Sequence, residues 1–152
     1  LVPDLQGKEE SIRTVLEAQP EIYNHNTETV PRLYKKCRPG GRYERVMGIF
    51  TAAKRIAPDI PTKTGMILGM GETNEEVVAV MRGLRAVDVD ILTLGQYLRP
   101  SVGHVAPDRY VTPDDFRRLY EIGMELGFRH VESGPLVRSS YHAWEQVQAA
   151  GV

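Results

Sequence analysis

The stretch Gly134-Pro135-Leu136-Val137-Arg138-Ser139-Ser140-Tyr141-His142 puts an arginine, two serines, a tyrosine and a histidine in five consecutive positions. That density supplies many donors and several possible metal ligands. A serine nucleophile would need a base in a triad and a nucleophile elbow. None of His25, His104, His130 and His142 stands in such a pattern. On chemistry alone, a cap by Ser139 or Ser140 at the start of a helix is the favoured reading.

Two further stretches could hold a small molecule. Gly65-Met66-Ile67-Leu68-Gly69-Met70-Gly71-Glu72 has the form of an apolar strand running into a glycine-rich turn. Glycines let a backbone approach a flat ligand, and Glu72 is an acceptor at the expected mouth. A tight strand-to-helix turn with a solvated glutamate accounts for the same residues. Asn24-His25-Asn26-Thr27-Glu28 is dense in hydrogen-bonding groups and suits ribose hydroxyls or an amino-acid head group. It also suits a polar loop whose Asn and Thr cap the next helix. Metal motifs built on HExxH or paired cysteines are absent from the sequence. The single cysteine, Cys37, sits between Lys36 and Arg38, which would lower its pKa, and it has no partner for a disulfide.

The elements that must position these residues alternate between strand and helix. Leu1 to Asp4 resembles a strand end, and Lys8 to Gln19 places Ile12, Val15 and Leu16 on one helical face. Ile22 to Asn24 is a short strand candidate. Thr29 to Cys37 could form a short helix with Pro31 in its first turn, broken by Pro39-Gly40-Gly41. Tyr43 to Ile56 is a stronger helix, carrying Val46, Phe50 and Ala53 at helical spacing. Thr64 to Leu68 is the next strand, and Thr73 to Glu76 is a capping box for a helix with Val77, Val80, Met81 and Leu84. Ile91 to Leu94 follows, then Gly95-Gln96-Tyr97 and a loop from about Arg99 to Val111, long enough to suggest a task. Thr112-Pro113-Asp114-Asp115 starts a helix that Gly127 would stop. His130 to Glu132 is the last strand candidate, with a helix or tail from about Tyr141.

Alternation of this kind implies parallel strands joined by right-handed crossovers. Four strands and one partial strand fall short of a closed eight-stranded barrel, which takes about 250 residues. The expected fold is α/β: a partial parallel barrel or a doubly wound sheet, forming a single domain over the 152 residues. Polar and glycine residues gather at strand C-terminal ends, where parallel α/β folds bind ligands. Nineteen basic against twenty acidic side chains give a net charge of -1, which offers no electrostatic case for nucleic acid or an acidic membrane surface. No apolar run approaches the roughly 20 residues of a membrane span. The first residues lack the pattern of a signal peptide, so a cytoplasmic location is the default.

The segments LVPDLQG, YNHNTETVPRLYKKCRPG, TKTGMILGMGET, LTLGQYLRPS and above all GPLVRSSYHA resemble lipoyl synthase, in family order, from Leu1 to about Gln146. The last string is highly specific; the glycine-rich strand end is shared more widely among radical S-adenosylmethionine enzymes. The resemblance implies the C-terminal half of a partial barrel of that type. It implies S-adenosylmethionine and two four-iron, four-sulfur clusters as cofactors. One cluster, on a CxxxCxxC motif, cleaves S-adenosylmethionine to a 5′-deoxyadenosyl radical that takes hydrogen from C6 and C8 of an octanoyl chain. The second gives up sulfur to those carbons. It is held by three cysteines of an N-terminal motif and one serine of an RSSY motif. The implied partners are an octanoylated lipoyl-carrier domain, either the glycine cleavage H protein or the E2 subunit of a 2-oxoacid dehydrogenase, and an electron donor such as ferredoxin or flavodoxin.

Carried over, the RSSY motif is Arg138-Ser139-Ser140-Tyr141, with Ser140 as the cluster ligand and Ser139 second. An alkoxide is a harder ligand than thiolate, which suits a cluster that must be dismantled. Gly69, Gly71 and Glu72 match the adenosine-side strand, Asn26 and Glu28 an HNxET segment near the ribose or methionine end, and Gln96 and Tyr97 a strand end facing the substrate. The family's cysteine motifs belong upstream of Leu1, so this chain is expected to be inactive alone. A fragment or split-enzyme subunit keeping a carrier-protein or nucleoside-binding surface is the alternative. A third possibility, an aldol-type barrel enzyme, would need Lys63 pointing into the barrel mouth to form a Schiff base.

Overall fold

The computed structural model describes residues 1–149 and Gly151. Its centre is a four-stranded sheet made of β1 (Tyr23–Asn24), β2 (Thr62–Leu68), β3 (Ile91–Gln96) and β4 (His130–Ser133). The strands lie in sequence order and every neighbouring pair is parallel. The crossovers carry α2 (Tyr34–Cys37), α3 (Tyr43–Ile56), α4 (Asn74–Ala86) and α5 (Pro113–Glu125). Helix α1 (Glu9–Glu17) precedes the sheet and α6 (Ala143–Ala149) follows it. This is the α/β arrangement of a partial parallel barrel.

Local chemistry sets the helix ends. In α4 the Thr73 hydroxyl accepts from the Glu76 amide while the Glu76 carboxylate accepts from the Thr73 amide, the expected capping box. Thr112 caps α5 through the Asp115 amide, Pro113 opens its first turn, and Gly127 leaves it with a φ of +89°. Helix α3 buries Val46, Ile49, Phe50 and Ala53, one stripe at helical spacing.

Strand residues alternate between two faces. Met66, Leu68, Leu92, Leu94 and Val131 face the helices and form the main core with Phe50, Val77, Met81, Leu84, Phe116 and Leu119. A smaller cluster joins Ile12 and Leu16 of α1 to Tyr23, Ile49 and Ala53. The register Lys63↔Ile91, Gly65↔Thr93, Ile67↔Gly95 and Thr93↔Glu132 puts Lys63, Gly65, Thr93, Gly95 and Glu132 on the opposite, inner face.

Several elements depart from the sequence expectation. Leu1 to Asp4 is not a strand: Val2 donates one backbone bond to Asn24, and Asp4 then caps a 3-10 turn over Leu5–Gly7 by accepting from the Gln6 amide. Residues 29–37 split into a 3-10 turn, Pro31–Leu33, and the four-residue α2. Strands β2 and β3 extend past their apolar runs to include Thr62, Lys63, Gly95 and Gln96, because tertiary pairing rather than hydrophobicity decides where a ladder stops.

Candidate functional site

The tail after β4 turns back over the inner face. Gly134 donates to the Leu94 carbonyl at 3.0 Å, which starts the turn. A Cβ on Gly95 would run into the Val137 carbonyl, so glycine there allows the tail to lie on the sheet. Further along, the Lys63 ammonium donates to the Ser139 carbonyl. Lys63 is only 3% exposed, and burial pulls its pKa down to about 8 despite the opposing charge of Glu132. Tyr141 donates to the Arg138 carbonyl at 2.9 Å, so Arg138 to Tyr141 form a turn with Ser139 and Ser140 at its corner. Ser140 and Tyr141 are exposed. Because α6 begins at Ala143, neither serine occupies its cap position, and the helix-capping alternative for them is not what the structure shows.

A cleft of about 210 Å³ lies between this tail and the strand ends, lined by Asn26, Glu28, Gly65, Thr93, Gly95, Arg138 and Ser139 among others. It brings together four residues picked out from separate stretches of sequence: Asn26, Glu28, Arg138 and Ser139. Among the described residues the buried Asn26 side-chain oxygen has no hydrogen-bond partner, nor has that of Asn24, which borders a neighbouring cavity. A buried unpaired oxygen is costly, and a ligand hydroxyl or ammonium would satisfy it. The expectation that this segment's Asn and Thr cap the next helix is corrected, since the 3-10 turn starts from Val30 with no side-chain cap. Thr27 instead pairs with Thr64 at 2.8 Å, which anchors the segment to β2. Glu28 holds a left-handed φ of 69°, bridged to Met66. Strain of that kind on a non-glycine residue collects at ligand sites.

The glycine-rich turn is held from within by Glu72. Glu72 does not stand open at the mouth. It is 4% exposed, and its carboxylate accepts from the Gly69 and Met70 amides. Those bonds hold the turn in the shape that Gly69 and Gly71 allow, with φ of +103° and +114°. Arg32 braces the turn from outside, donating to the Gly71 carbonyl at 2.8 Å and pairing with Glu76 through both carboxylate oxygens. That pairing holds the Glu76 carboxyl down at about 2.

Gln96 is buried, and its carboxamide is taken up by the 99–111 loop. Its nitrogen donates to the Tyr97 and Arg109 carbonyls and its oxygen accepts from Val111. Asp108 adds a bond from its amide to the Gly69 carbonyl at 2.8 Å. Gln96 therefore positions a loop over the strand ends. Tyr97 donates to the Val105 carbonyl at 2.8 Å and lines a second cavity of about 470 Å³ with Glu28, Arg38, Met70 and His104. Cys37 borders the same cavity. Burial pushes its thiol up, outweighing Lys36, which reverses the lowered pKa expected from its neighbours.

Lys63, Gly95 and Arg32 were not assigned these roles from sequence. A glycine inside an apolar strand is a signal of close backbone approach and could have marked Gly95. The contacts of Lys63 and Arg32 span 76 and 44 residues, and no local pattern carries them. The Lys63 ammonium is directed at the tail carbonyl, low on the strand, which removes the barrel-mouth placement that a Schiff base required.

No protein-family model matches the chain. Individual curated proteins do. A protein named lipoyl synthase from Koribacter versatilis is 58% identical over 149 residues, which is 98% of this chain and 49% of the relative. One of the same name from Caldanaerobacter subterraneus is 57% identical over 143 residues, 94% of this chain and 50% of the relative. A third, from Rubrobacter xylanophilus, is 52% identical over 150 residues, 99% of this chain and 47% of the relative. The resemblance drawn from the motifs thus extends along nearly the whole chain. The chain spans about half the length of the curated relatives it matches.

Proposed function

We propose that this chain is the half of a lipoyl synthase that supplies the tail serine and part of the S-adenosylmethionine site, and that it works only together with the rest of such an enzyme. The observation that carries the reading is identity above one half over nearly all of the chain against half of each relative. The reaction is the insertion of two sulfur atoms at C6 and C8 of a protein-bound octanoyl chain. S-adenosylmethionine would supply the group that takes hydrogen from those carbons. The partners would be an octanoylated carrier domain and a small electron-transfer protein.

The inner-face cleft fits S-adenosylmethionine in its chemistry. Asn26 offers an unpaired acceptor for a hydroxyl or ammonium, and Glu28 offers a carboxylate beside it. Arg138 and Ser139 close the cleft from the tail side, so the tail limits access of water to the bound molecule. Lys63 holds the corner of the tail through the Ser139 carbonyl and so decides where Ser140 points. The residues present do not fit an iron–sulfur cluster, because the sequence has one cysteine where two such clusters need several thiolates. The chain alone, reconstituted anaerobically with iron and sulfide, should accordingly hold no stoichiometric four-iron cluster by absorption and iron analysis.

The deciding experiment uses a full-length enzyme that includes this sequence. Ser140→Ala should leave 5′-deoxyadenosine formation largely intact and abolish lipoyl product. Normal product from Ser140→Ala with an inactive Ser139→Ala would move the role one residue back. Normal product from both would remove the tail from the sulfur-donor site. Should the full-length enzyme itself make no lipoyl product, the fragment would instead be a binding module.

A further inference from the structure

Across the inner face from the cleft, Glu132 of β4 meets the tail a second time. The His142 Nδ1 lies 3.9 Å from the Glu132 Oε1 and 3.0 Å from the Glu145 Oε2. The three ligand atoms all fall within 4.8 Å of one another. We propose that Glu132, His142 and Glu145 form a divalent-cation site of the zinc or manganese class, which fastens the end of the tail to β4.

The geometry suits an ion. Zinc ligands about 2 Å from a shared metal stand roughly 3–4 Å from each other, so both imidazole separations already fit. The two carboxylate oxygens, within 4.8 Å of each other, come into range by side-chain rotation alone. Two further observations fix the ligands. The His142 ring stacks on Tyr141 with centroids 4.0 Å apart and planes at 11°, which sets the direction of its nitrogens. The His130 Nε2 sits 3.0 Å from the same Glu132 oxygen, an imidazole beside the ligating carboxylate of the kind that orients metal ligands.

Two carboxylates face the site, Glu132 from β4 and Glu145 from α6, and the Lys63 ammonium also lies in the field of Glu132. One imidazole nitrogen with two carboxylate oxygens prefers zinc, cobalt or manganese over magnesium. Ser140 lies two residues before His142, so an ion here would fix the Arg138 to Tyr141 turn from its far side. The site needs nothing from the functional reading above and stands or falls independently of it.

The test uses this chain, freed of any affinity tag and titrated with ZnCl2 by calorimetry, then with CoCl2 followed by visible absorption. The expected result is one equivalent of either ion, with cobalt bands showing nitrogen ligation. His142→Gln and Glu132→Gln should each weaken binding at least about 10-fold, and His130→Gln should weaken it less. Glu145→Gln, at the exposed start of α6, should also weaken it with no change in melting of the metal-free chain. Absence of binding, or binding unchanged in both His142→Gln and Glu132→Gln, would overturn the proposal. Binding that disappears in Cys37→Ser would also overturn it, by assigning the ion to the cavity that Cys37 shares with His104.

Discussion

The two faces of the sheet are built from alternate residues of the same strands and are unlike in almost every respect. Toward the helices, Met66, Leu68, Leu92, Leu94 and Val131 are apolar and at most 3% exposed, interlocked with α3, α4 and α5. Toward the inside, Lys63, Gly65, Thr93, Gly95 and Glu132 are polar or lack a side chain, with only Ile67 and Ile91 apolar among them in β2 and β3, and the cover is a short tail. The first face is closed by dispersion and the hydrophobic effect, which tolerate no gaps. The second is closed by a few hydrogen bonds and close backbone approach, which can be undone locally. The same alternation that gives the chain its stability therefore leaves a separable, polar surface for chemistry.

Substitution of adjacent residues in β3 should separate the faces most strongly. Leu92→Ala leaves a cavity among the helices and should cost about 2–5 kcal/mol in denaturant unfolding. Thr93→Ala, one residue on, loses only a long 3.4 Å bond to the Thr64 carbonyl and should cost about 1 kcal/mol or less. Comparable losses from the two would mean that the inner face is packed as tightly as the outer one.

The tail should come away without the sheet. In Gly95→Ala the new methyl group meets the Val137 carbonyl, and in Lys63→Met the Ser139 carbonyl loses its donor. Both variants should show several-fold faster tryptic cleavage after Arg138, with a melting midpoint close to that of the parent. A large drop in midpoint without selective cleavage at Arg138 would make the tail an integral part of the core.

The smallest effect belongs to the rim between the faces, where Arg32 braces the glycine turn. The Arg32 side chain is more than half exposed there, so solvent screens the ion pair and its contribution to stability is small. Pairing lowers the folded-state pKa of Glu76 from 4.5 to about 2. The contribution is therefore full above pH 4.5 and declines as the pH falls toward 2. Glu76→Gln keeps the capping geometry and removes the charge. Its melting deficit relative to the parent should shrink between pH 5 and pH 3. A deficit independent of pH would assign the stabilisation to capping alone.

Much of this molecule was legible in its sequence for identifiable reasons. Helix α3 has the bounds that its apolar stripe predicts, and the Thr73 and Thr112 caps are local side-chain chemistry that needs no distant partner. Parallel order follows from strand–helix alternation. The candidate residues Asn26, Glu28, Arg138 and Ser139 were singled out by type, and the string GPLVRSSYHA by its resemblance. Tertiary structure alone decided what those residues face. It buried Glu72 against its own turn, gave Gln96 to the loop, raised the Cys37 thiol, and joined Lys63 to a tail 76 residues away. Local propensity reaches only a few residues along the chain, whereas burial and pairing depend on which distant segments the folded sheet brings together.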